Sequence, residues 1–210
     1  LLKRKTRLKQ MSQSSSALEH VVINMRNPIL ADLAVRRAIR LTIDRTKLAA
    51  LLPANFGPVA TSVFHPRDPI YQPVTGDKQN LTLAKKLLDE AGWKPNDKGA
   101  LYKDDRQLAF DIVTTKEDSL RQLVARAIAR DLAAIGAEVT VRTQPSKAFF
   151  GETVRKVKFT GMALFAMVLR PGEAPRTVLH SREIPTAQNE YSGQNFAGFR
   201  NRQVDRTLDK

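Results

Sequence analysis

Residues 108–143 read LAFDIVTTKEDSLRQLVARAIARDLAAIGAEVTVRT, and this stretch decides the fold. In its first part, Leu108, Phe110 and Ile112 alternate with polar or small residues, which is typical of a strand with one buried face. A long amphipathic helix follows and ends at Gly136, after which the alternation resumes in a second strand. A strand, a helix and a strand of these lengths predict a parallel βαβ crossover. The helix residues expected to face the sheet are Leu120, Leu123, Val124, Ala127, Ile128 and Ile135.

Two further segments are predicted to join the same sheet. Val21, Val22 and Ile23 favour a strand within residues 18–25. Residues 161–168 are apolar on both faces, which favours a position at the centre of the sheet. The sequence therefore predicts an α/β fold with a mixed sheet and flanking helices.

Two helices are predicted on either side of a proline-rich segment. Asp32 can cap a helix that runs to about Leu51, and a second helix ends at Gly92, with Trp93 placed to pack back on it. Between them, residues 53–80 contain five prolines, too many for regular structure. A loop of this length in a compact domain is usually either functional or covered by another segment that packs over it. The stripe of the first helix expected to be buried comprises Val35, Ala38, Ile39, Thr42 and Ile43.

Composition limits the function classes. Of the 210 residues 42% are hydrophobic, enough for a core, and no apolar run reaches the length of a membrane span. The absence of cysteine excludes a disulfide scaffold, a zinc ribbon and a thiol nucleophile. The three histidines share no metal-ligand spacing, and there is no phosphate-binding glycine loop or nucleophile elbow. We therefore expect no catalytic residue, no metal site and no cofactor.

The net charge of +14 suggests an anionic partner, and a basic nucleic-acid-binding module is the alternative function. The basic residues, however, are scattered through every segment, and aromatic residues make up only 6% of the chain. A stacking platform for bases requires interleaved aromatic side chains. A solvated basic surface is the interpretation that this pattern favours.

Several segments in order resemble the peptide and nickel family, family 5, of extracellular solute-binding proteins of ABC importers. Among them, the run AKKLLDEAGW at residues 84–93 is the most specific. The other matching segments are residues 24–28, 32–39, 42–45, 99–104, 135–136 and 198–201, followed by Val204 and Asp205. The resemblance covers residues 18–210.

The resemblance implies one lobe of a type II periplasmic-binding-protein fold. In that family two α/β lobes close around a ligand, and a permease then collects it. Residues 18–210 correspond to the second, C-terminal lobe, and residues 1–17, which are basic and serine-rich, to a connector from the first lobe. The implied partners are a small solute, the first lobe of the same protein and an ABC permease, with no nucleic acid. The implied location is periplasmic or otherwise extracytoplasmic, with a membrane tether as one option.

A ligand site is expected beyond the carboxyl end of the central strand, as in open α/β sheets. The loop 169–176, the proline-rich segment around 59–71 and the loop 192–199 are the segments predicted to line it. The candidate ligand-binding residues are Arg170, Glu173, Arg176, Asn195 and Tyr71.

The sequence departs from the family at one informative place. Peptide-binding members resemble one another in a tryptophan and an acidic residue after the central strand, and the acid pairs with the ligand's amino terminus. Here residues 167–173 read MVLRPGE, so that the acid is displaced to Glu173 and Arg170 stands near its place. Arginine pairs with a carboxylate through two parallel hydrogen bonds, which points to a peptide or peptide-like solute that bears a carboxylate. An Arg170 that simply points into solvent is the open alternative.

Overall fold

The computed structural model describes residues 17–53, 56–57, 59–64, 68–69, 71–72, 78–168 and 175–210. The strands are β1 (Ala17–Ile23), β2 (Lys94–Pro95), β3 (Leu101–Lys103), β4 (Arg106–Gln107), β5 (Ala109–Thr115), β6 (Glu138–Gln144) and β7 (Met162–Val168). The α-helices are α1 (Leu33–Thr42), α2 (Arg45–Ala50), α3 (Leu81–Glu90), α4 (Ser119–Ala133), α5 (Ser146–Ala148), α6 (Arg176–Leu179) and α7 (Arg202–Leu208). A π-helical turn occupies Phe149–Val154, and short 3₁₀ turns occupy Ser181–Glu183 and Ala187–Asn189.

The main sheet has four strands in the order β1-β7-β5-β6. Strand β5 pairs in parallel with both β6 and β7, whereas β1 pairs antiparallel with β7. This confirms the mixed α/β fold, the parallel crossover through α4 and the inner position of the apolar strand.

One side of this sheet, which we call the helical face, is covered by α1, α3 and α4. A single buried cluster joins these helices to Ile112, Met162 and Leu164 of the sheet. The predicted stripe of α1 is buried from Val35 to Thr42, and Trp93 packs into the same cluster. The helical face therefore holds the larger part of the core.

The prediction that Leu123 faces the sheet is wrong, because its side chain is 38% exposed. Helix α4 instead buries Ala125, Ile128 and Leu132, which recur at the three- and four-residue spacing of one helix face. Leu123 lies two residues before Ala125 and so projects from the opposite side of the helix.

The predicted helix from Asp32 to Leu51 is interrupted. Ile43 adopts an extended conformation after α1, and the Asp44 side chain caps α2 by accepting a hydrogen bond from the Lys47 N–H at 3.0 Å. The Asp44 N–H in turn donates to Asp131 of α4 at 3.2 Å. The break thus ties the start of α2 to the neighbouring helix α4.

A second, three-stranded sheet of β2, β3 and β4 was not predicted. Its hairpin turns at Asp104 and Asp105, both in the left-handed region with φ of 49° and 58°, as a tight turn between antiparallel strands requires. The carboxylates of Asp104 and Asp105 thus lie in a turn of the second sheet.

The other side of the main sheet, which we call the cleft face, is covered only in part. A smaller buried cluster there comprises Val113, Phe149, Val154, Val157, Phe159, Ala163 and Phe165. Its cover comes from the π-helical turn and from the irregular chain after residue 175. Among the described helices, none combines the length and apolarity that crossing a membrane requires.

Candidate functional site

Phe165 of β7 lies at the centre of an aromatic group on the cleft face. Strand pairing places it opposite His20 of β1, and the two rings meet edge-to-face with centroids 4.6 Å apart. The ring centroids of Phe149 and Phe150 each lie 6.0 Å from that of Phe165, and the centroid of Phe196 lies 6.2 Å from it. Edge-to-face pairs at these separations add to the stabilisation that burial provides.

The π-helical turn is fixed at both ends by polar contacts. At its start, Glu117 accepts hydrogen bonds from the Ser146 hydroxyl at 2.7 Å and the Ser146 N–H at 3.0 Å, and the hydroxyl contact lowers the pKa of Glu117. Near its end, the Thr153 hydroxyl donates to Oε1 of Gln144 at 2.6 Å. The turn buries Phe149 completely and leaves Phe150 43% exposed. Single π-helical turns occur frequently at functional sites.

A cleft of about 670 Å³ opens beside this group, along the edge strand β1 and the carboxyl end of β7. Its lining is mostly apolar: Val21, Val22, Ile23, Met25, Val63, Phe150, Val154, Phe165, Ala166, Met167, Val168, Val178, Leu179, Phe196, Ala197 and Phe199, with His20, Arg155 and Gln194. An apolar concave surface with few polar groups is the usual character of a small-molecule site.

His20 and Arg155 are the ionisable side chains among the described residues that line the cleft. Burial lowers the pKa of His20, an effect opposed by its hydrogen bond with the Leu18 carbonyl, where Nδ1 and the oxygen are 3.3 Å apart. His20 is therefore neutral at pH 7, so that Arg155 carries the charge of the described part of the cleft wall.

A buried asparagine shapes the wall opposite the sheet. The Nδ2 group of Asn195 donates to the carbonyls of His180 at 3.1 Å and Phe199 at 2.8 Å, and its Oδ1 accepts from the Phe199 N–H at 3.0 Å. Gly193 lies against Glu183, where an added Cβ would come within 2.2 Å of the carbonyl oxygen. Because it has no side chain, Gly193 allows its backbone to lie directly against the backbone of Glu183.

The C-terminal helix α7 supports the same wall from behind. Its Asp205 accepts from the Ser181 hydroxyl at 2.7 Å, a contact that lowers the pKa of Asp205. Asp209 pairs with Arg176 at 2.7 Å and lies 3.3 Å from Nε2 of the buried His180. These contacts hold α6 and α7 together beneath the loop that reaches the cleft.

The predicted site residues fall into three groups. Arg170 and Glu173 lie outside the described residues, so their role stays a prediction. Arg176 is engaged with α7, and Asn195 is fully buried with its amide committed to the backbone. Tyr71 is half-buried, and its hydroxyl lies 3.0 Å from the Thr61 hydroxyl. The structure therefore does not bring Arg176, Asn195 and Tyr71 together in the cleft.

Two of the predicted segments do reach the cleft, but through other residues. Val63 comes from the proline-rich segment, and Phe196 and Phe199 come from the loop 192–199. Sequence reasoning missed Phe150 and Arg155. The available signal was the adjacent Phe149 and Phe150, followed by the cations Arg155, Lys156 and Lys158. A helix that only faces solvent would not require two adjacent aromatic side chains.

Among the described residues, no group of three or more histidine, aspartate or glutamate side chains is arranged to hold a metal ion.

Comparison with known proteins relates this arrangement to one family. The chain matches the family described as bacterial extracellular solute-binding proteins, family 5 Middle, over residues 1–182. It is 29% identical over 181 residues to protein XP55 of Streptomyces lividans, an alignment that covers 86% of this chain and 32% of that protein. The chain thus spans about a third of the length of the relatives it matches.

Two solved structures have the same fold. The oligopeptide-binding protein of Thermus thermophilus, in complex with a pentapeptide, matches with a TM-score of 0.82 and 29% identity over 92% of this chain and 36% of its own. NikZ of Campylobacter jejuni, in complex with Ni(L-His), matches with a TM-score of 0.84 and 25% identity over 95% of this chain and 39% of its own. Both are type II periplasmic-binding-protein folds. The match over most of its length shows that this chain belongs to the family 5 bacterial extracellular solute-binding proteins.

Proposed function

We propose that the chain is the ligand-binding lobe of an extracytoplasmic solute-binding protein that delivers peptides or similar solutes to an ABC importer. The observation that carries this proposal is the apolar cleft at the carboxyl end of β7, on the face of the sheet that helices leave open. Ligands of open α/β sheets bind at this end of the strands. Family membership supports the transport role, and it gives no support to the nucleic-acid alternative.

The cleft suits a peptide. Its walls are aliphatic and aromatic side chains, which suit apolar side chains of a peptide. The relative from Thermus thermophilus, which binds a pentapeptide, supports this choice.

The proposed mechanism requires a second lobe and a permease. One lobe offers one wall of a cleft, and closure of two lobes around a solute buries most of its surface. Residues 18–210 then form the second lobe, residues 1–17 lead from the first, and the protein acts outside the cytoplasm, either free or tethered to the membrane. Arg170 and Glu173, which follow β7 in sequence, remain our proposed contacts for charged groups of the solute.

Native mass spectrometry of the purified full-length protein tests this function. We expect mass increments that correspond to retained peptides and that disappear after mild denaturation and refolding. A mixture of random pentapeptides added to the refolded protein should restore them. A protein that retains no solute and binds no component of the mixture would contradict the proposal.

A further inference from the structure

Arg155 is held at the rim of the cleft by the π-helical turn that also supplies Phe150. Its backbone N–H donates to the Phe150 carbonyl at 3.3 Å, directly after the turn ends. Its side chain is exposed and lines the cleft together with Phe150 and Val154. One local structure therefore places a cation and an aromatic ring at the same opening.

The neighbouring charges leave this cation without compensation. Glu152, the nearest acidic residue in sequence, accepts hydrogen bonds from Lys156 and Lys158, both at 2.8 Å, and these contacts lower its pKa to about 2. In the part of the chain that the structure describes, no carboxylate lies within ion-pair distance of the Arg155 guanidinium, and Glu152 is paired with the two lysines. The turn thus carries a net positive charge on its cleft side.

The rest of the cleft favours an apolar group next to an anion. Phe150, Phe165 and Phe196 present ring surface, and the only other ionisable side chain of the described lining, His20, is neutral at pH 7. A guanidinium offers two parallel N–H donors that match a carboxylate, and it repels an ammonium group.

We propose that Arg155 determines the specificity of this cleft by pairing with a carboxylate that lies next to an aromatic or large apolar side chain of the solute. A peptide that ends in such a residue has both features. This inference rests on the proposed peptide function. It adds that the described part of the cleft receives the carboxyl-terminal end of the peptide.

Two pentapeptide probes test the inference in the full-length protein: Ala-Ala-Ala-Leu-Phe with a free carboxylate and the same peptide as its C-terminal amide. Isothermal titration calorimetry should give an affinity for the acid about tenfold higher than that for the amide, the scale of one charge-assisted contact at a partly exposed site. Arg155→Gln should lower the affinity for the acid to that of the amide and leave the affinity for the amide unchanged. Arg126→Gln, which removes an exposed arginine from α4, is the matched control and should retain the preference.

The outcomes separate the two proposals. If neither peptide binds, the peptide function fails and the inference fails with it. If both bind equally well, only the inference fails. If the Arg155→Gln protein still prefers the acid, the inference is also overturned. This holds equally if Arg170→Gln is the substitution that abolishes the preference.

Discussion

The two faces of the main sheet are built in different ways. On the helical face, α1, α3 and α4 pack regular apolar stripes against Ile112, Met162 and Leu164, and the buried cluster is continuous. On the cleft face, a π-helical turn and irregular loops cover Phe165 only in part and leave an opening of about 670 Å³. We infer that the helical face provides most of the stability and that the cleft face provides the binding surface.

The largest effect should follow from a cavity on the helical face. Leu132→Ala removes a fully buried side chain of α4 and should lower the free energy of unfolding by about 3 kcal/mol. Leu123→Ala on the exposed side of the same helix is the matched control and should cost less than about 1 kcal/mol. Urea denaturation followed by circular dichroism measures both. Equal costs for the two variants would contradict the assignment of the helix face.

The next effect tests whether Asn195 supports the cleft wall or contacts the solute. Asn195→Ala leaves the Phe199 N–H and several buried carbonyls without their partner and should cost about 2 kcal/mol of stability. Gln194→Ala, at the exposed neighbouring position, should leave stability unchanged. An Asn195→Ala protein with unchanged stability and lost peptide affinity would restore Asn195 as a ligand contact.

Two adjacent phenylalanines of the cleft face separate a contribution to stability from a contribution to binding within one turn. Phe150→Ala should cost less than about 1 kcal/mol of stability, because its ring is 43% exposed, but should weaken pentapeptide binding by about fivefold. Phe149→Ala is the contrasting variant, since its fully buried ring should contribute about 3 kcal/mol to stability. Calorimetric titration and thermal melts provide the two readings. Peptide binding that is indifferent to Phe150 would remove this ring from the site.

The smallest effect concerns the ion pairs of Glu152 with Lys156 and Lys158. Because its pKa is lowered from 4.5 to about 2, the stabilisation is complete above about pH 5 and is lost as the pH falls toward 2. Glu152→Gln should therefore melt slightly below the wild type at pH 7, and the difference should shrink steadily below pH 5. Since the groups are exposed, added salt should also reduce it. A difference that grows on acidification would contradict the assigned pairs.

The regular parts of this fold could be predicted from the sequence because their signals are periodic. A single repeat length accounts for each of three features. They are the alternation in β5 and β6, the α4 pattern between them, and the α1 stripe from Val35 to Thr42. The break at Ile43 was missed because apolar residues continue beyond it at helical spacing. The signal that was present is Asp44, a residue suited to capping a new helix.

The site was less predictable, because it depends on where irregular segments lie. Asn195 has the composition of an exposed loop residue, yet it is buried because three backbone carbonyls and one N–H converge on its amide. The π-helical turn has no sequence signature of its own, and within it Phe149 faces inward while Phe150 and, directly after it, Arg155 reach the cleft. The loop 192–199 reaches the cleft as predicted, but through Gln194, Phe196, Ala197 and Phe199 and not through Asn195.

The central claim, that the open face of the sheet is the binding face, is tested most directly by hydrogen–deuterium exchange of the full-length protein with and without the pentapeptide acid. We predict slower exchange on binding in segments 149–155, 162–168 and 194–199, and no change in the exposed turns of α1 and α3. Slower exchange confined to α1, α3 and α4, with the three cleft segments unaffected, would contradict the account.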